Sequence, residues 1–245
     1  DVMLGEAKIE EAVISDIRPK LSIIPSDVNL AACEIQLNEQ ENRNTILKAE
    51  LDRIREKYEY IQGMPVLLDI KNCNALGFVG SRTKLYQMVK NLSLSIAIEH
   101  FYQDVQIMFV INEDEVQLFD WARWFHNTTS PSGILKNFMY DDDSSKILLE
   151  YLYGELSRRD EMREEEISEL PHFVVFAYRS EKLTSHPLKK YFDKAGELGF
   201  SFLFFEEYEE MVNDNCTKLI FLEDDSNEGL IRNVEDGEIT QRFEY

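Results

Sequence analysis

The chain has 245 residues, of which 44% are hydrophobic and 11% are aromatic. This composition supplies a folded core and excludes a wholly disordered protein, and the length fits one large domain with an appendage. Lys and Arg number 26 and Asp and Glu number 47, which gives a net charge of −21. Because so acidic a surface repels phosphate backbones and anionic lipid, nucleic-acid binding is disfavoured and basic or amphipathic protein partners are favoured.

Apolar segments, the first residue and the cysteines indicate the cellular compartment and the extent of the chain. No stretch reaches the ~18–20 apolar residues that span a bilayer, and no basic segment followed by an apolar one opens the sequence. The sequence begins at Asp1 rather than Met, so we expect a piece of a longer protein. Its cysteines, Cys33, Cys73 and Cys216, form no CxxC pair, which suits a reducing cytosol.

Residues 1–64 are predicted to form a small β-rich lead-in and a connecting helix. Short apolar runs at Val13-Ile14 and Leu21-Ser22-Ile23-Ile24 are separated by glycine and proline, which is typical of short strands. From about Thr45 to Ile61, apolar residues recur at three- and four-residue steps. This spacing predicts an amphipathic helix.

Residues 65–245 change to alternating strands and helices. Apolar runs predict strands at Val66–Ile70, Ala75–Val79, Val105–Ile111, Phe173–Tyr178, Phe200–Phe205 and Lys218–Leu222. Helices are predicted from Ser81 to about His100, from Ser145, capped by Asp143 or Ser144, to about Arg158, and from Ser185 to Gly199. The tail, Leu230–Val234 and Glu238–Arg242 around Asp236-Gly237, predicts a β-hairpin. Alternating strands and helices imply an α/β domain with a mostly parallel sheet and helices on both faces.

The turn after Ala75–Val79 is where such a sheet would bind a phosphate. Its candidate residues are Gly77, Gly80, Ser81, Arg82, Thr83 and Lys84. A working phosphate loop has the pattern GxxxxGK[ST], but counted from Gly77 the second glycine is Arg82 and the lysine is Thr83. We therefore favour the interpretation that the two glycines shape a tight turn. The alternative is a non-consensus loop that binds Mg-ATP.

Hydrolysis would also need a carboxylate on a neighbouring strand to hold magnesium. The strand Phe173–Tyr178 is followed by Arg179-Ser180, which offers none, whereas Asn112-Glu113-Asp114 offers one. For Asp141-Asp142-Asp143, a loop and helix cap is favoured over a cation site. The four histidines lack the spacing of metal ligands, so no metal site is predicted. The sequence has no GxSxG motif and no cysteine visibly paired with a histidine, so no catalytic residue is predicted.

Both tryptophans lie in Asp120-Trp121-Ala122-Arg123-Trp124-Phe125-His126. Trp121, Arg123 and Trp124 would suit an aromatic docking surface with a cationic centre. The other interpretation is a core plug over the sheet edge, because large aromatic side chains mostly bury area.

Several segments, taken in order, resemble the EssC/EccC-type membrane ATPases of type VII secretion, in the FtsK/SpoIIIE group. Ala75–Arg82 resembles their ALGIVGPR-like signature, and Asp120–His126 resembles their WDWxRWLPH-like segment. Other similar segments are Leu4-Gly5-Glu6, Tyr60–Val66, His186-Pro187-Leu188, Gly199–Phe202 and Asn215–Ile220. Ser81, Ala122 and Phe125 depart from the family pattern.

The resemblance implies a P-loop-NTPase-like fold with degenerate nucleotide motifs, placed between the membrane helices and the P-loop domains of a secretion ATPase. It implies a non-hydrolysing domain without a cofactor, at the cytoplasmic face of the membrane, that couples the membrane part to the motor domains. The expected partners are those motor domains, neighbouring protomers of a hexameric ring, type VII secretion subunits and small helical-hairpin substrates. Trp121, Arg123 and Trp124 are the expected contact. A nucleotidase that uses Gly80–Lys84 and a plain scaffold with an acidic face stay open as alternatives.

Overall fold

The computed structural model describes residues 14–18, 21–23, 66–130 and 136–245. The chain divides into two compact units, residues 1–65 and 66–245. In the first, strands β1 (Ile14–Arg18) and β2 (Leu21–Ile23) pair antiparallel, where apolar runs predict short strands. The helix predicted from Thr45 to Ile61 lies outside the described residues.

The second unit is built on an eight-stranded sheet. Its strands are β3 (Ala75–Val79), β4 (Val105–Val110), β5 (Phe138–Met139), β6 (His172–Ala177), β7 (Phe200–Glu206), β8 (Lys218–Leu222), β9 (Glu228–Asn233) and β10 (Ile239–Glu244). They lie in the order β10-β9-β8-β3-β7-β6-β4-β5. All pairs from β8 to β5 are parallel, and β9 pairs antiparallel with β8 and β10. The predicted mostly parallel sheet and terminal hairpin are confirmed.

Helices cover both faces of this sheet, as predicted. The α-helices are α1 (Arg82–Glu99), α2 (Asp142–Arg159), α3 (Glu164–Ser168) and α4 (Glu181–Thr184). Short 3₁₀ segments are Glu113–Glu115, Asp120–Trp124, His126–Thr128, Pro187–Lys194 and Glu209–Met211. The α1 side chains pack into the core on one face, and those of α2 and Pro187–Lys194 pack into the core on the other.

Strand β7 shows why the strands are apolar throughout. Phe200, Phe202 and Phe204 pack on the face covered by α2, whereas Leu203 and Phe205 pack on the face covered by α1. Successive side chains of a strand point to opposite faces, so a strand covered on both sides needs a continuous apolar run.

The strand predicted at Val66–Ile70 is wrong. Both edges of β3 are already paired, with β7 on one side and β8 on the other, so no place is left beside it. The carboxylate of Asp69 instead accepts hydrogen bonds from the main chain and side chain of Asn72, which form a turn. The two-residue strand β5 was not predicted, because two residues cannot show a periodicity.

Two helix predictions also need correction. Helix α2 begins earlier than predicted, because Asp141 caps it by accepting a hydrogen bond from the Ser144 N–H at 2.7 Å. In place of the helix predicted from Ser185 to Gly199, the structure has the 3₁₀ segment Pro187–Lys194, and α4 ends before it at Thr184. Pro187 disfavours helical geometry at the preceding residue, and His186 is extended there.

Candidate functional site

The candidate phosphate loop lies at the carboxyl edge of β3 and is very short. Strand β3 ends at Val79, and helix α1 begins at Arg82 with Ser81 as its N-cap residue, which leaves Gly80 and Ser81 as the connection. Gly77 lies inside the strand. A consensus loop carries several residues between the strand and the helix in order to surround a phosphate.

Close packing accounts for both glycines. A Cβ atom on Gly77 would lie 2.5 Å from Val212 Cγ1 and 2.6 Å from Leu219 Cδ2. One on Gly80 would lie 3.1 Å from Leu222 Cβ and from the Leu222 carbonyl oxygen. Positive φ angles occur only at Gly199 and Gly237 among the glycines of the described ranges. The prediction that the two glycines shape a tight turn is therefore wrong for Gly77, which is a strand residue, whereas Gly80 lies in the short connection; both make room for neighbouring elements.

The Arg82 side chain lies across the ends of β6 and β7. Its Nη1 donates to the carbonyl oxygens of Tyr178 at 3.2 Å and Phe205 at 3.3 Å, and its Nε donates to Glu207 Oε2 at 3.1 Å. The Tyr178 hydroxyl donates back to the Arg82 carbonyl oxygen at 3.2 Å. The guanidinium is thus engaged with the protein's own acceptors.

The other polar groups of the loop contact the turn between β8 and β9. The Ser81 N–H donates to Asp224 Oδ1 at 3.3 Å, while the Ser81 side chain makes no capping bond. Lys84 Nζ donates to the Ser226 carbonyl oxygen at 2.6 Å and to Asn227 Oδ1 at 3.1 Å. Thr83 is exposed on α1. The structure thus brings the predicted loop residues to one edge of the sheet, where protein groups already bind the polar ones.

A partly buried ion pair lies where a magnesium-binding carboxylate would be needed. Arg179, just after β6, donates through Nε to both carboxylate oxygens of Glu115, at 2.9 and 3.0 Å, and also through Nη2. Glu115 Oε2 also accepts the Asn112 N–H at 2.9 Å. Hydrogen bonding to Glu115 raises the pKa of Arg179. Sequence reasoning missed Glu115, because its partner lies 64 residues away.

Glu206 is a second acidic residue that sequence reasoning missed. It ends β7, is only 5% exposed, and its main-chain oxygen accepts the Gly80 N–H at 3.3 Å. Burial raises the pKa of its carboxyl group, and its Oε1 has no hydrogen-bond partner. Because burial disfavours its charged form, this carboxyl group is poorly suited to hold a divalent cation.

The acidic run Asp141-Asp142-Asp143 belongs to the start of α2. Hydrogen bonds from Ser144 lower the pKa of Asp141, and Asp142 and Asp143 lie in the first turn. The favoured cap interpretation is confirmed for Asp141. The run also lines an open cavity of about 960 Å³ with Asn112, Glu113, Asp114, Tyr140 and Lys182. Within residues 66–130 and 136–245 no group of three or more His, Cys, Asp or Glu side chains could hold a metal ion.

The structure separates the two tryptophans. Trp121 is half-buried, and its Nε1 donates to the Tyr86 hydroxyl at 3.0 Å. Its ring contacts those of Phe109, Phe119 and Phe125, with centroids 5.6 to 6.4 Å away. This is the core-plug arrangement. Trp124 is 84% exposed, and Arg123 is exposed beside it, with Nη1 3.5 Å from Asp120 Oδ1.

A buried histidine and serine pair lies at the opposite, amino edge of the sheet. His172 Nε2 lies 2.8 Å from Ser201 Oγ, and Ser201 Oγ donates to the Ile70 carbonyl oxygen at 2.6 Å. The serine proton is therefore directed at a carbonyl oxygen, and the imidazole donates to the serine. The pair anchors the segment before β3 to β6 and β7.

This pair predicts a pH dependence of stability. Burial, with Lys71 and Arg159 nearby, lowers the pKa of His172 from 6.5 to about 4. In this range the unfolded chain takes up a proton that the folded chain excludes, so stability falls as the pH drops below the unfolded pKa. Between about pH 7.5 and about pH 5.5 this group alone should cost about 1.4 kcal/mol. Urea unfolding of the wild type and of His172→Gln at both pH values measures the contribution of His172. Equal losses of unfolding free energy in the two proteins would contradict the prediction.

Two curated relatives match most of the chain. The EccC protein of the ESX secretion system of Geobacillus thermodenitrificans is 24% identical over 220 residues, which is 89% of this chain and 15% of that protein. The ESX secretion system protein YukB of Bacillus subtilis is 23% identical over 221 residues, with 89% and 14% covered. This chain is a relative of the EssC/EccC proteins. It spans about one seventh of the length of these two relatives.

A solved EssC/EccC structure shares the fold. It is Thermomonospora curvata EccC, ATPases 2 and 3, in complex with a signal sequence peptide. The TM-score is 0.51 at 12% identity, over 72% of this chain and 37% of that one. The predicted P-loop-NTPase-like α/β fold is confirmed. A family model described as an AAA domain matches residues 1–82, about a third of the chain, and ends at Arg82 in the candidate loop. In the parts of the chain that the structure describes, no helix is long and apolar enough to cross a membrane.

Proposed function

We propose that this chain is a non-hydrolysing ATPase-like module of a type VII secretion motor. It couples the membrane part of the motor, at the cytoplasmic face, to the ATP-consuming domains, and it docks partner proteins during export. The observation that carries the proposal is that the polar groups of the candidate phosphate loop are already hydrogen-bonded within the protein. Ser81, Arg82 and Lys84, which would face a phosphate, are hydrogen-bonded to the chain's own oxygens.

The charge at the end of β6 supports the same proposal. Phosphoryl transfer in this fold class uses a magnesium ion held by a loop hydroxyl and by a carboxylate on a neighbouring strand. Here β6 is followed by Tyr178 and then by Arg179, whose guanidinium is paired with the carboxylate of Glu115. A cation in this position repels a metal ion, and the paired carboxylate is occupied.

The docking part of the proposal rests on Trp124 and Arg123. Both side chains project from the 3₁₀ segment Asp120–Trp124 into solvent, while Trp121 and Ala122 fix the segment to the core. An exposed tryptophan beside an arginine is a frequent composition of protein interfaces. The peptide complex of the related EccC supports secretion substrates as one partner class. Motor domains, type VII secretion subunits and neighbouring protomers of a hexameric ring complete the proposed partners.

Steady-state phosphate release by the 245-residue chain with Mg-ATP tests this proposal. We expect the rate to equal that of a protein-free blank, because neither the loop nor the metal ligands needed for hydrolysis are free. Turnover above the blank that is lost in Arg82→Ala or Lys84→Ala would favour the nucleotidase alternative instead. Gln87→Ala, which removes an exposed side chain further along α1 and outside the candidate loop, is the matched control and should behave as the wild type in either case.

A further inference from the structure

The turn between β8 and β9, residues 223–227, contacts the loop at two points. The Asp224 carboxylate accepts the N–H of Ser81, the N-cap residue of α1, at 3.3 Å. The first turn of α1 contains no acidic residue, so Asp224 supplies a carboxylate to this helix end from 143 residues away. Lys84, one turn further along, donates to the Ser226 carbonyl oxygen and to Asn227 Oδ1. Negative groups are favoured at a helix N-terminus, and a carboxylate there acts as a bound anion would.

Contacts on either side hold this turn against the loop. At its start, Leu222 lies so close to Gly80 that a Cβ atom on the glycine would be 3.1 Å away. At its end, the Tyr245 N–H donates to the Asn227 carbonyl oxygen at 2.8 Å, and Lys84 Nζ lies 5.4 Å from the centre of the Tyr245 ring. Within the turn, Ser226 Oγ donates to Glu223 Oε2 and accepts the Glu228 N–H, both at 3.0 Å.

We propose that residues 223–227 form an autoinhibitory strap, in which Asp224 and the Ser226 carbonyl oxygen occupy the anion-binding groups of the loop. The strap stabilises the domain in the way that a bound phosphate would. It should also keep external anions from binding to the wild-type loop. This inference rests on the proposed function and deepens it, because it names the groups that keep the loop closed.

Thermal unfolding of the 245-residue chain tests the strap, with and without sodium tripolyphosphate. Loss of one carboxylate cap in Asp224→Ala should lower Tm by about 2–4 °C in a protein of this size. Tripolyphosphate should restore that loss, and sodium chloride of matched ionic strength should not. The restoration should disappear in the double variant Asp224→Ala with Lys84→Ala. The wild-type Tm should not respond to tripolyphosphate.

Asp225→Ala is the matched control, because Asp225 is an exposed acidic neighbour in the same turn. Equal Tm values for the Asp224 and Asp225 variants would overturn the strap, and so would a wild-type Tm that rises with tripolyphosphate as much as that of Asp224→Ala. Asp224→Asn keeps the shape of the side chain and removes its charge, so it should show a smaller loss than alanine. ATP turnover by the wild-type chain would instead refute the proposed function, which makes the two failures distinguishable.

Discussion

Arg159→Ala should lower the free energy of unfolding by about 3–5 kcal/mol, because it breaks a buried ion pair from one side. Arg159 is 1% exposed, and its Nε donates to Glu155 Oε1 at 2.8 Å. Its Nη atoms donate to the carbonyl oxygens of Leu198 at 3.0 Å and Pro171 at 2.9 Å. Without the guanidinium, these oxygens lose their charged donor in the interior.

The ring contacts of Arg159 add to this loss. Its guanidinium lies 5.2 Å from the ring centre of Phe173 and 4.9 Å from that of Phe200, at the starts of β6 and β7. Arg159→Lys should recover little of the stability, because an ammonium group cannot reproduce the planar fork that reaches several acceptors.

Arg158→Ala is the matched control for this prediction. Arg158 pairs with the same Glu155, but its side chain is 49% exposed, so its removal should cost less than about 1 kcal/mol. Urea unfolding of both variants gives the comparison. Similar losses of unfolding free energy in the two variants would contradict the stabilising role assigned to the buried Arg159.

Under the proposed docking function, Trp124→Ala in the full-length protein should abolish type VII secretion while changing the free energy of unfolding by no more than about 0.5 kcal/mol. The side chain is 84% exposed, so its removal leaves the core intact. Trp121→Ala should instead destabilise the chain by about 3 kcal/mol, because it removes half-buried ring contacts and the hydrogen bond to Tyr86.

Export assays with the variants in the full-length protein, together with unfolding of the 245-residue chain, separate the two roles. Leu67→Ala is a control for exposure, since Leu67 is 83% exposed and lies outside the proposed contact. It should affect neither stability nor export. Normal export by a folded Trp124→Ala protein would remove Trp124 from the docking proposal.

The parallel strands were the most predictable part of the fold. Ala75–Val79 and Lys218–Leu222 match β3 and β8 residue for residue, because each is an apolar run bounded by polar or glycine residues. Val66–Ile70 has the same character and is not a strand. Its fate depends on which sheet edges are already paired, and a local pattern does not contain that information.

The sequence predicted the loop residues of the candidate site but not the groups that bind them. The positions of Arg82 and Thr83 in the loop pattern already argue against a consensus phosphate loop. The groups that engage the loop could not be predicted. Asp224 lies 143 residues from Ser81. Because the chain contains 47 acidic residues, nothing in the sequence distinguishes this acidic turn from the others. Residue type alone also could not tell the half-buried Trp121 from the exposed Trp124.

A calorimetric titration of the wild-type chain with Mg-ATP tests the central claim most directly, which is that this ATPase fold holds its phosphate-binding edge closed with its own side chains. We predict no saturable heat of binding for the wild type, and the same result for Gln87→Ala. Saturable binding of one nucleotide per chain that is lost in Lys84→Ala and Arg82→Ala would contradict the account.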